Sequence, residues 1–120
     1  RRELVTRYNR ELNSLPVTQP WQHPDAESAW HLYVIRLDKG DGPNNERGEV
    51  FRALRKAGIG VNVHYIPVHT QPPYRAMGYR EGDFPVAEKY YATALTLPLY
   101  PVLELQDQDR VFSRLRRVLQ

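Results

Sequence analysis

Side chains that could bind a ligand are concentrated in one short segment of the sequence. The segment contains His64, Tyr65, His69, Gln71 and Tyr74. A histidine can hold an anionic group when protonated and a hydroxyl group when neutral, and a tyrosine offers a stacking face and a phenol donor. The prolines Pro67, Pro72 and Pro73 stiffen the segment and reduce the entropy lost when a ligand binds. The pattern predicts a substrate-binding surface for anions, sugars or rings, which forms one part of a larger active site.

These residues form none of the common catalytic motifs. Pro67 breaks any helix between His64 and His69, and no third ligand accompanies them, so we expect no metal site. The glycines form neither a dinucleotide-binding nor a phosphate-binding loop, and no serine or threonine occupies a nucleophile elbow. The sequence therefore predicts no catalytic residue in this chain. A structural role stays open, because histidines and tyrosines are often half-buried with a satisfied partner.

The composition is that of a globular domain. The chain has 120 residues, of which 41% are hydrophobic and 26% charged, and its net charge is +3; these values argue against disorder. The chain contains no cysteine, so disulfide scaffolds and thiolate metal sites are excluded. The apolar runs are too short to cross a bilayer, and RRELVTRYNREL is not a signal peptide, so a cytoplasmic location is expected. The basic residues form three separate groups with acidic neighbours, which is typical of solvated helix faces and not of a nucleic-acid footprint.

Four predicted helices have to position the segment. The first covers residues 1–13 and is expected to lead in from a larger domain; the second follows a cap at Asn44 or Asn45; the third runs over Phe84–Ala92; and the fourth begins near Asp107. Proline-rich residues 14–25 connect the first helix to the first strand and are predicted to be irregular. Residues 1–120 are interpreted as a single domain.

Three strands are predicted: Ala29–Leu37, Ile59–Ile66 and Ala94–Leu97. The first is aromatic, β-branched and apolar on both faces, which predicts a central strand covered on both sides. The second alternates strictly, which turns His64 away from the core, and Pro67 ends it before a loop that reaches about Asp83. The expected fold class is α+β, with a small antiparallel three-stranded sheet that carries helices on one face.

Five blocks of the sequence together resemble a known family. They are RRELVTRYNREL, SAWHLYVIRL, GIGVNVHYIPVHTQPPYRAMGY, GDFPVAEKYY and TLPLYP, in this order. They are similar to the C-terminal part of the DegT/StrS family of sugar-nucleotide aminotransferases, and the resemblance covers essentially the whole chain. The residues HYIPVH with GDFPVAEKYY look closest to the subgroup that makes the 4-amino sugar precursor of pseudaminic acid.

The resemblance implies a role as the small, C-terminal domain of a larger enzyme of the aspartate-aminotransferase fold. Such an enzyme uses pyridoxal 5′-phosphate, works as a homodimer with shared active sites, and moves an amino group, with glutamate as the expected donor, to a keto-sugar nucleotide. The family places the cofactor lysine in the larger N-terminal domain, so Lys39, Lys56 and Lys89 are not expected to hold the cofactor. The chain alone is therefore expected to be inactive, because transamination needs that lysine.

A second interpretation is an independent basic α+β binding module, for example for RNA. It accounts for the positive charge but not for the proline-rich segment of histidines and tyrosines. On the first interpretation the five residues of that segment bind the substrate, and neither nucleic acid, membrane nor metal is a partner. Apolar groups of Trp30 and of the first helix would then be covered by the rest of the parent enzyme.

Overall fold

The computed structural model describes residues 1–39 and 46–120. Helices and strands follow one another in this order: α1 (Arg2–Glu11), β1 (Val17–Thr18), β2 (Tyr33–Leu37), α2 (Glu46–Lys56), a 3₁₀ turn (Val68–Thr70), α3 (Pro72–Ala76), α4 (Pro85–Thr93), β3 (Ala94–Leu97) and α5 (Leu105–Leu119). The predicted α+β class with a small antiparallel three-stranded sheet is confirmed. The expected cap at Asn44 or Asn45 lies outside the described residues. Within the described ranges, no helix is long and apolar enough to cross a membrane.

The sheet has the order β1-β2-β3, and both pairings are antiparallel. Strand β2 is central, as predicted, but it begins only at Tyr33. Its residues Tyr33, Ile35 and Leu37 are buried, whereas Arg36 on the opposite face is exposed. That second face is therefore only partly covered, and the predicted covering of both faces is wrong for this chain.

Helices α1, α2 and α5 enclose the buried face of the sheet. Their apolar stripes supply the core residues Leu4, Val5, Tyr8, Val50, Leu54, Val111, Phe112 and Leu115. Tyr8 stacks on Tyr33 of β2 with ring centroids 4.7 Å apart, and it meets the Phe112 ring edge-on at 5.4 Å. Because offset and edge-on ring pairs add to the energy of apolar burial, these three aromatic rings join the sheet to both terminal helices.

The first helix is an integral part of this core. The Gln108 side-chain amide of α5 donates to the Leu4 carbonyl of α1 over 2.8 Å, and both groups are buried. Arg7 of α1 donates to the Leu105 carbonyl over 3.0 Å, and it also forms an ion pair with Asp109. Helix α1 is therefore joined to α5 by a buried hydrogen bond as well as by surface contacts.

The predicted strand Ile59–Ile66 is wrong. Its only ladder contact among the described residues is a single antiparallel bridge, in which Asn62 exchanges two backbone hydrogen bonds of 3.1 and 2.8 Å with Thr96. Just before it, the Val61 amide donates to the Ile59 carbonyl over 2.9 Å, and this tight turn prevents a continuous ladder. Ile59 and Val61 are nevertheless buried, so the alternation correctly indicates which side chains face the core.

At two further places the structure predicted from the positions of prolines is wrong. Residues 14–25 are not wholly irregular, since Val17 and Thr18 pair with Leu37 and Arg36 of β2; a proline beside an edge strand is tolerated because no ladder donor is lost. The loop expected after Pro67 contains a 3₁₀ turn and the short helix α3, which has prolines in its first turn. Proline suits that position, because the amide there has no helical partner.

The other helix boundaries agree with the sequence to within a few residues. Helix α4 starts at Pro85, and α5 starts at Leu105, slightly before the expected Asp107. Gly58 follows α2 with φ of +80°, a conformation that glycine adopts without steric cost. Its amide donates to the Arg55 carbonyl over 3.0 Å, which ends the helix and directs the chain toward the edge of β3.

Candidate functional site

The five predicted site residues belong to a segment that runs away from the free edge of β3. The Asn62–Thr96 bridge fixes its start, and the 3₁₀ turn and α3 hold its remainder. The Thr70 side chain donates to the Pro67 carbonyl over 2.8 Å and closes the 3₁₀ turn. Local backbone structure, and not a long flexible loop, therefore positions the candidate residues.

His64 is held by the sheet. Its Nδ1 lies 2.8 Å from the Thr96 hydroxyl oxygen, and Thr96 is buried in β3. The imidazole also meets the Tyr65 ring edge-on, with centroids 4.5 Å apart. Tyr65 itself is 71% exposed, so its ring is accessible at the surface.

His69 has a different environment from the one predicted. The sequence places His69 on the loop after Pro67, within the predicted substrate-binding surface, and so predicts an exposed side chain. In the structure His69 is only 7% exposed, and its Nε2 lies 2.6 Å from Glu88 Oε1. The backbone amide of Gly82 donates to both oxygens of the same carboxylate, over 2.8 and 3.0 Å, and the Phe84 ring lies 4.8 Å from the imidazole. The expected exposure of His69 is therefore wrong.

The Glu88 carboxylate has a lowered pKa. The largest cause is its hydrogen bond with His69, followed by the Gly82 amide. Both contacts favour the charged form of the acid. Glu88 is thus ionised at neutral pH, and its oxygens act only as acceptors.

Gln71 and Tyr74 belong to the start of α3. The Gln71 carbonyl accepts from the amides of Tyr74 and Arg75, each over 3.0 Å, as the helix begins. Tyr74 is partly exposed, and its ring lies 6.5 Å from that of Tyr79. Gln71 therefore has a backbone role that the sequence does not reveal, while its side chain stays exposed.

Three of the five candidate residues border two neighbouring depressions of the surface. The first has a volume of about 620 Å³ and includes Tyr65, Phe84 and Tyr90 in its wall. The second, of about 390 Å³, is lined by Val68, His69, Tyr74, Tyr79, Phe84 and Ala87. Phe84 contributes to both. His64 and Gln71 line neither, so the structure brings together His69 with Tyr74, and His64 with Tyr65.

The sequence analysis missed three residues that contact or border the candidate site: Glu88, Tyr79 and Phe84. Glu88 lies one turn into α4, where a carboxylate is ordinary in the first turn of a helix. No spacing rule links it to His69, and only the folding of α4 back over the 3₁₀ turn makes the pair. The aromatic residues of GDFPVAEKYY were a usable signal, because rings next to polar groups are typical of ligand depressions.

The described residues do not fit pyridoxal phosphate. Lys56 and Lys89 are exposed on α2 and α4, and the exposed Lys39 borders a surface depression together with Glu46 and Glu49. Two carboxylates next to a lysine disfavour a phosphate group, since like charges repel. Among the described residues there is also no group of three or more potential metal ligands. The described residues therefore offer no site at which this cofactor would be held.

The comparison with known families decides the identity. Residues 1–116 match the DegT/DnrJ/EryC1/StrS aminotransferase family. The chain belongs to this family. The spore coat polysaccharide biosynthesis protein SpsC of Bacillus subtilis (strain 168) is 39% identical over 99% of this chain and 31% of its own length. The chain thus spans about 30% of the length of the relatives that it matches.

Solved structures agree with the family assignment. DesV of S. venezuelae, solved in complex with a ketimine intermediate, has a TM-score of 0.87 and 31% identity, and the match covers 99% of this chain and 31% of DesV. Spr1654 of Streptococcus pneumoniae has a TM-score of 0.89 in its apo form and 27% identity, over 98% of this chain and 29% of that protein. Spr1654 has also been solved in PLP and PMP forms.

The pseudaminic acid aminotransferase PseC of Helicobacter pylori is a more distant neighbour. It has a TM-score of 0.80 and 23% identity, over 98% of this chain and 31% of PseC. At this identity the likeness shows a shared fold and nothing about the substrate. The resemblance of HYIPVH and GDFPVAEKYY to that subgroup therefore stays a prediction.

Proposed function

We propose that this chain forms the small domain of a pyridoxal-phosphate-dependent aminotransferase that acts on a keto-sugar nucleotide. The observation that carries the proposal is the family match over residues 1–116, with the same fold in DesV. The solved PLP and PMP forms of Spr1654 support the cofactor, which a further domain of the parent enzyme would hold. Glutamate as amino donor and a pseudaminic-acid precursor as product belong to the same proposal.

In this enzyme the segment from His64 to Tyr74 would line the substrate site. His64 and Tyr65 are half-buried and exposed, respectively, and would contact the nucleotide-sugar; His69 and Tyr74 share an aromatic depression suited to a ring. Aromatic walls with few polar groups are typical of small-molecule sites. The part of the chain that the structure describes supplies binding groups and no group that performs the transfer.

The proposal also covers the surroundings of the enzyme. It places the parent in the cytoplasm as a homodimer, without nucleic acid as a partner. Basic side chains spread over the surface support the last point, since several pair with carboxylates: Arg2 with Glu27, Arg75 with Glu81 and Arg116 with Glu11. Paired and scattered charge gives weak binding to nucleic acid that salt abolishes.

Amino transfer by the full-length parent tests the proposal. The enzyme, supplied with pyridoxal phosphate and glutamate, should convert a nucleotide-linked 4-keto sugar to the amino sugar, which mass spectrometry detects. His64→Ala should lower kcat/KM for the sugar nucleotide by roughly tenfold or more, whereas His23→Ala should leave it unchanged, since His23 is an exposed histidine outside the segment. Absence of any amino transfer would overturn the proposed activity, and equal kinetics of the two variants would overturn the site.

A further inference from the structure

The contact between His69 and Glu88 determines which nitrogen of the His69 ring carries the proton of their hydrogen bond. Glu88 Oε1 lies 2.6 Å from His69 Nε2 and also accepts from the Gly82 amide. An ionised carboxylate has no proton to donate. The proton of this hydrogen bond therefore belongs to His69 Nε2, and the Gly82 amide holds the carboxylate in the place where it receives that proton.

The second ring nitrogen of His69 has a free lone pair in the neutral imidazole. When Nε2 carries the proton, Nδ1 is an acceptor. Among the hydrogen bonds of the described residues, none reaches His69 Nδ1. The ring also borders the depression that Tyr74, Tyr79 and Phe84 line, so Nδ1 is the atom of His69 that remains for a ligand.

His64 provides a contrast within the same segment. Its partner is the Thr96 hydroxyl, at 2.8 Å from Nδ1. A hydroxyl group donates or accepts with equal ease, so this contact imposes no tautomer on His64. Of the two histidines, only His69 has its proton position set by the fold.

We propose that Glu88 is a positioning residue that, with the Gly82 amide, keeps the proton of His69 on Nε2, so that His69 meets the substrate as a hydrogen-bond acceptor through Nδ1. The inference rests on the proposed function for the presence of a substrate. The matching ligand group is a hydroxyl or amine donor on a ring that packs against the aromatic wall. A sugar ring has this chemistry, whereas the phosphates of a nucleotide offer only acceptors at neutral pH.

The protonation of His69 can be measured in the chain itself. A chain labelled with nitrogen-15 histidine gives two-bond nitrogen–proton correlations that distinguish the ring tautomers at about pH 7.5. His69→Gln assigns the signal of His69 among the four histidines. We expect a proton on Nε2 and none on Nδ1. A ring protonated on Nδ1 alone, or on both nitrogens, would overturn the proposal.

Two matched variants test the part played by Glu88. Glu88→Gln keeps the shape of the side chain but removes the obligatory acceptor, so the His69 signals should move toward those of a mixture of tautomers. Glu81→Gln changes an exposed carboxylate that pairs with Arg75, and it should leave the His69 signals unchanged. Unaltered His69 signals in Glu88→Gln would show that the carboxylate does not determine which ring nitrogen carries the proton. If Glu88→Gln fails to fold, the wild-type spectrum still tests the tautomer.

Kinetics of the full-length parent test the consequence for the ligand. Glu88→Gln should raise KM for the sugar nucleotide about tenfold, which corresponds to roughly 1.4 kcal/mol of binding, with a much smaller change in kcat. The affinity for the nucleoside diphosphate without its sugar should not change. An equal loss of affinity for the diphosphate would overturn the assignment of His69 to the sugar that is linked to the nucleotide. The tautomer measurement does not depend on amino transfer, so it separates failure of this inference from failure of the proposed activity.

Discussion

At the scale of single residues, His69 is the most deeply buried of the five predicted site residues. It is buried, and its hydrogen bond with Glu88 connects the 3₁₀ turn to α4. His69→Ala should lower the free energy of unfolding by about 1–3 kcal/mol, because it removes a buried group and its hydrogen bond. Urea unfolding of the chain, followed by circular dichroism, measures this loss.

The neighbouring Gln71 is the control for this prediction. Its side chain is exposed, so Gln71→Ala should change the free energy of unfolding by less than about 0.5 kcal/mol. Equal stability of the two variants would mean that the His69–Glu88 contact contributes nothing to folding.

The burial of two tyrosines leads us to expect a lower free energy of unfolding at alkaline pH. Burial raises the pKa of Tyr8 and of Tyr33 above the usual value near 10. Each phenol donates a hydrogen bond, Tyr8 to the Pro98 carbonyl over 2.8 Å and Tyr33 to the Asn9 side-chain oxygen over 2.7 Å. Because the folded state keeps these protons more tightly than the unfolded chain, their contribution is complete below about pH 10 and falls as the pH rises further.

The urea midpoint measured between about pH 9 and pH 11 tests this dependence. The wild-type chain should lose stability over this range, and the double variant Tyr8→Phe/Tyr33→Phe should lose clearly less. Tyr79→Phe removes a partly exposed phenol, and its profile should follow the wild type. A double variant with the wild-type slope would exclude these two phenols as the cause.

At the scale of elements, helix α5 contributes the largest apolar stripe of the C-terminal half. Leu115 is completely buried in it. Leu115→Ala should cost roughly 2–4 kcal/mol, since it leaves a cavity in the core. The exposed neighbour Arg114 gives the control, and Arg114→Ala should stay within about 0.5 kcal/mol of the wild type. Denaturant unfolding that does not separate these variants would contradict the packing of α5.

Hydrophobic periodicity predicted α1, α2 and α5 well because each of these helices buries one apolar stripe. It failed at Ile59–Ile66, because alternation reports which side chains face the core and not where the backbone finds its hydrogen bonds. Ile59 and Val61 face the core as expected, yet the ladder is limited to Asn62. Periodicity also missed Val17 and Thr18, which pair with β2. A strand of two residues is too short to show an alternating pattern.

The residue types of the candidate segment can be read from the sequence, but the contacts that these residues make cannot. The sequence indicated a segment of histidines and tyrosines, and it indicated that His64 leaves the core face. It could not indicate that Glu88 meets His69, because that distance depends on how α4 folds back over the 3₁₀ turn. Burial of His69 results from the same packing, and so no local property of VHT reveals it.

At the scale of the whole molecule, exposed apolar side chains are concentrated between residues 65 and 90. They include Tyr65, Ile66, Val68, Met77, Phe84 and Val86. The sequence analysis expected the uncovered groups at Trp30 and in the first helix, and this is wrong, because Trp30 packs partly buried against the core and the apolar side of α1 is enclosed. The apolar surface instead adjoins the candidate site.

Such a surface predicts that the chain self-associates, since large exposed apolar patches drive association. Val86 is 84% exposed within this surface, and Val102 is 81% exposed outside it. Val86→Lys should therefore weaken self-association, while Val102→Lys should not. Sedimentation velocity over a range of concentrations measures the effect. A chain that stays monomeric at every concentration would contradict the prediction.

The pairing of the two terminal helices has a consequence for the synthesis of the protein. Arg7 in α1 reaches the Leu105 carbonyl, which lies 98 residues further along the chain. A ribosome adds about 5–20 residues per second, so roughly 5–20 s pass before α1 can meet α5. During this interval the stripe of Leu4 and Tyr8 lacks the helix that covers it. A nascent chain halted before Leu105 should therefore be sensitive to protease and bound by chaperones. Once α5 has been synthesised and leaves the ribosome, the protease sensitivity and the chaperone binding should both disappear.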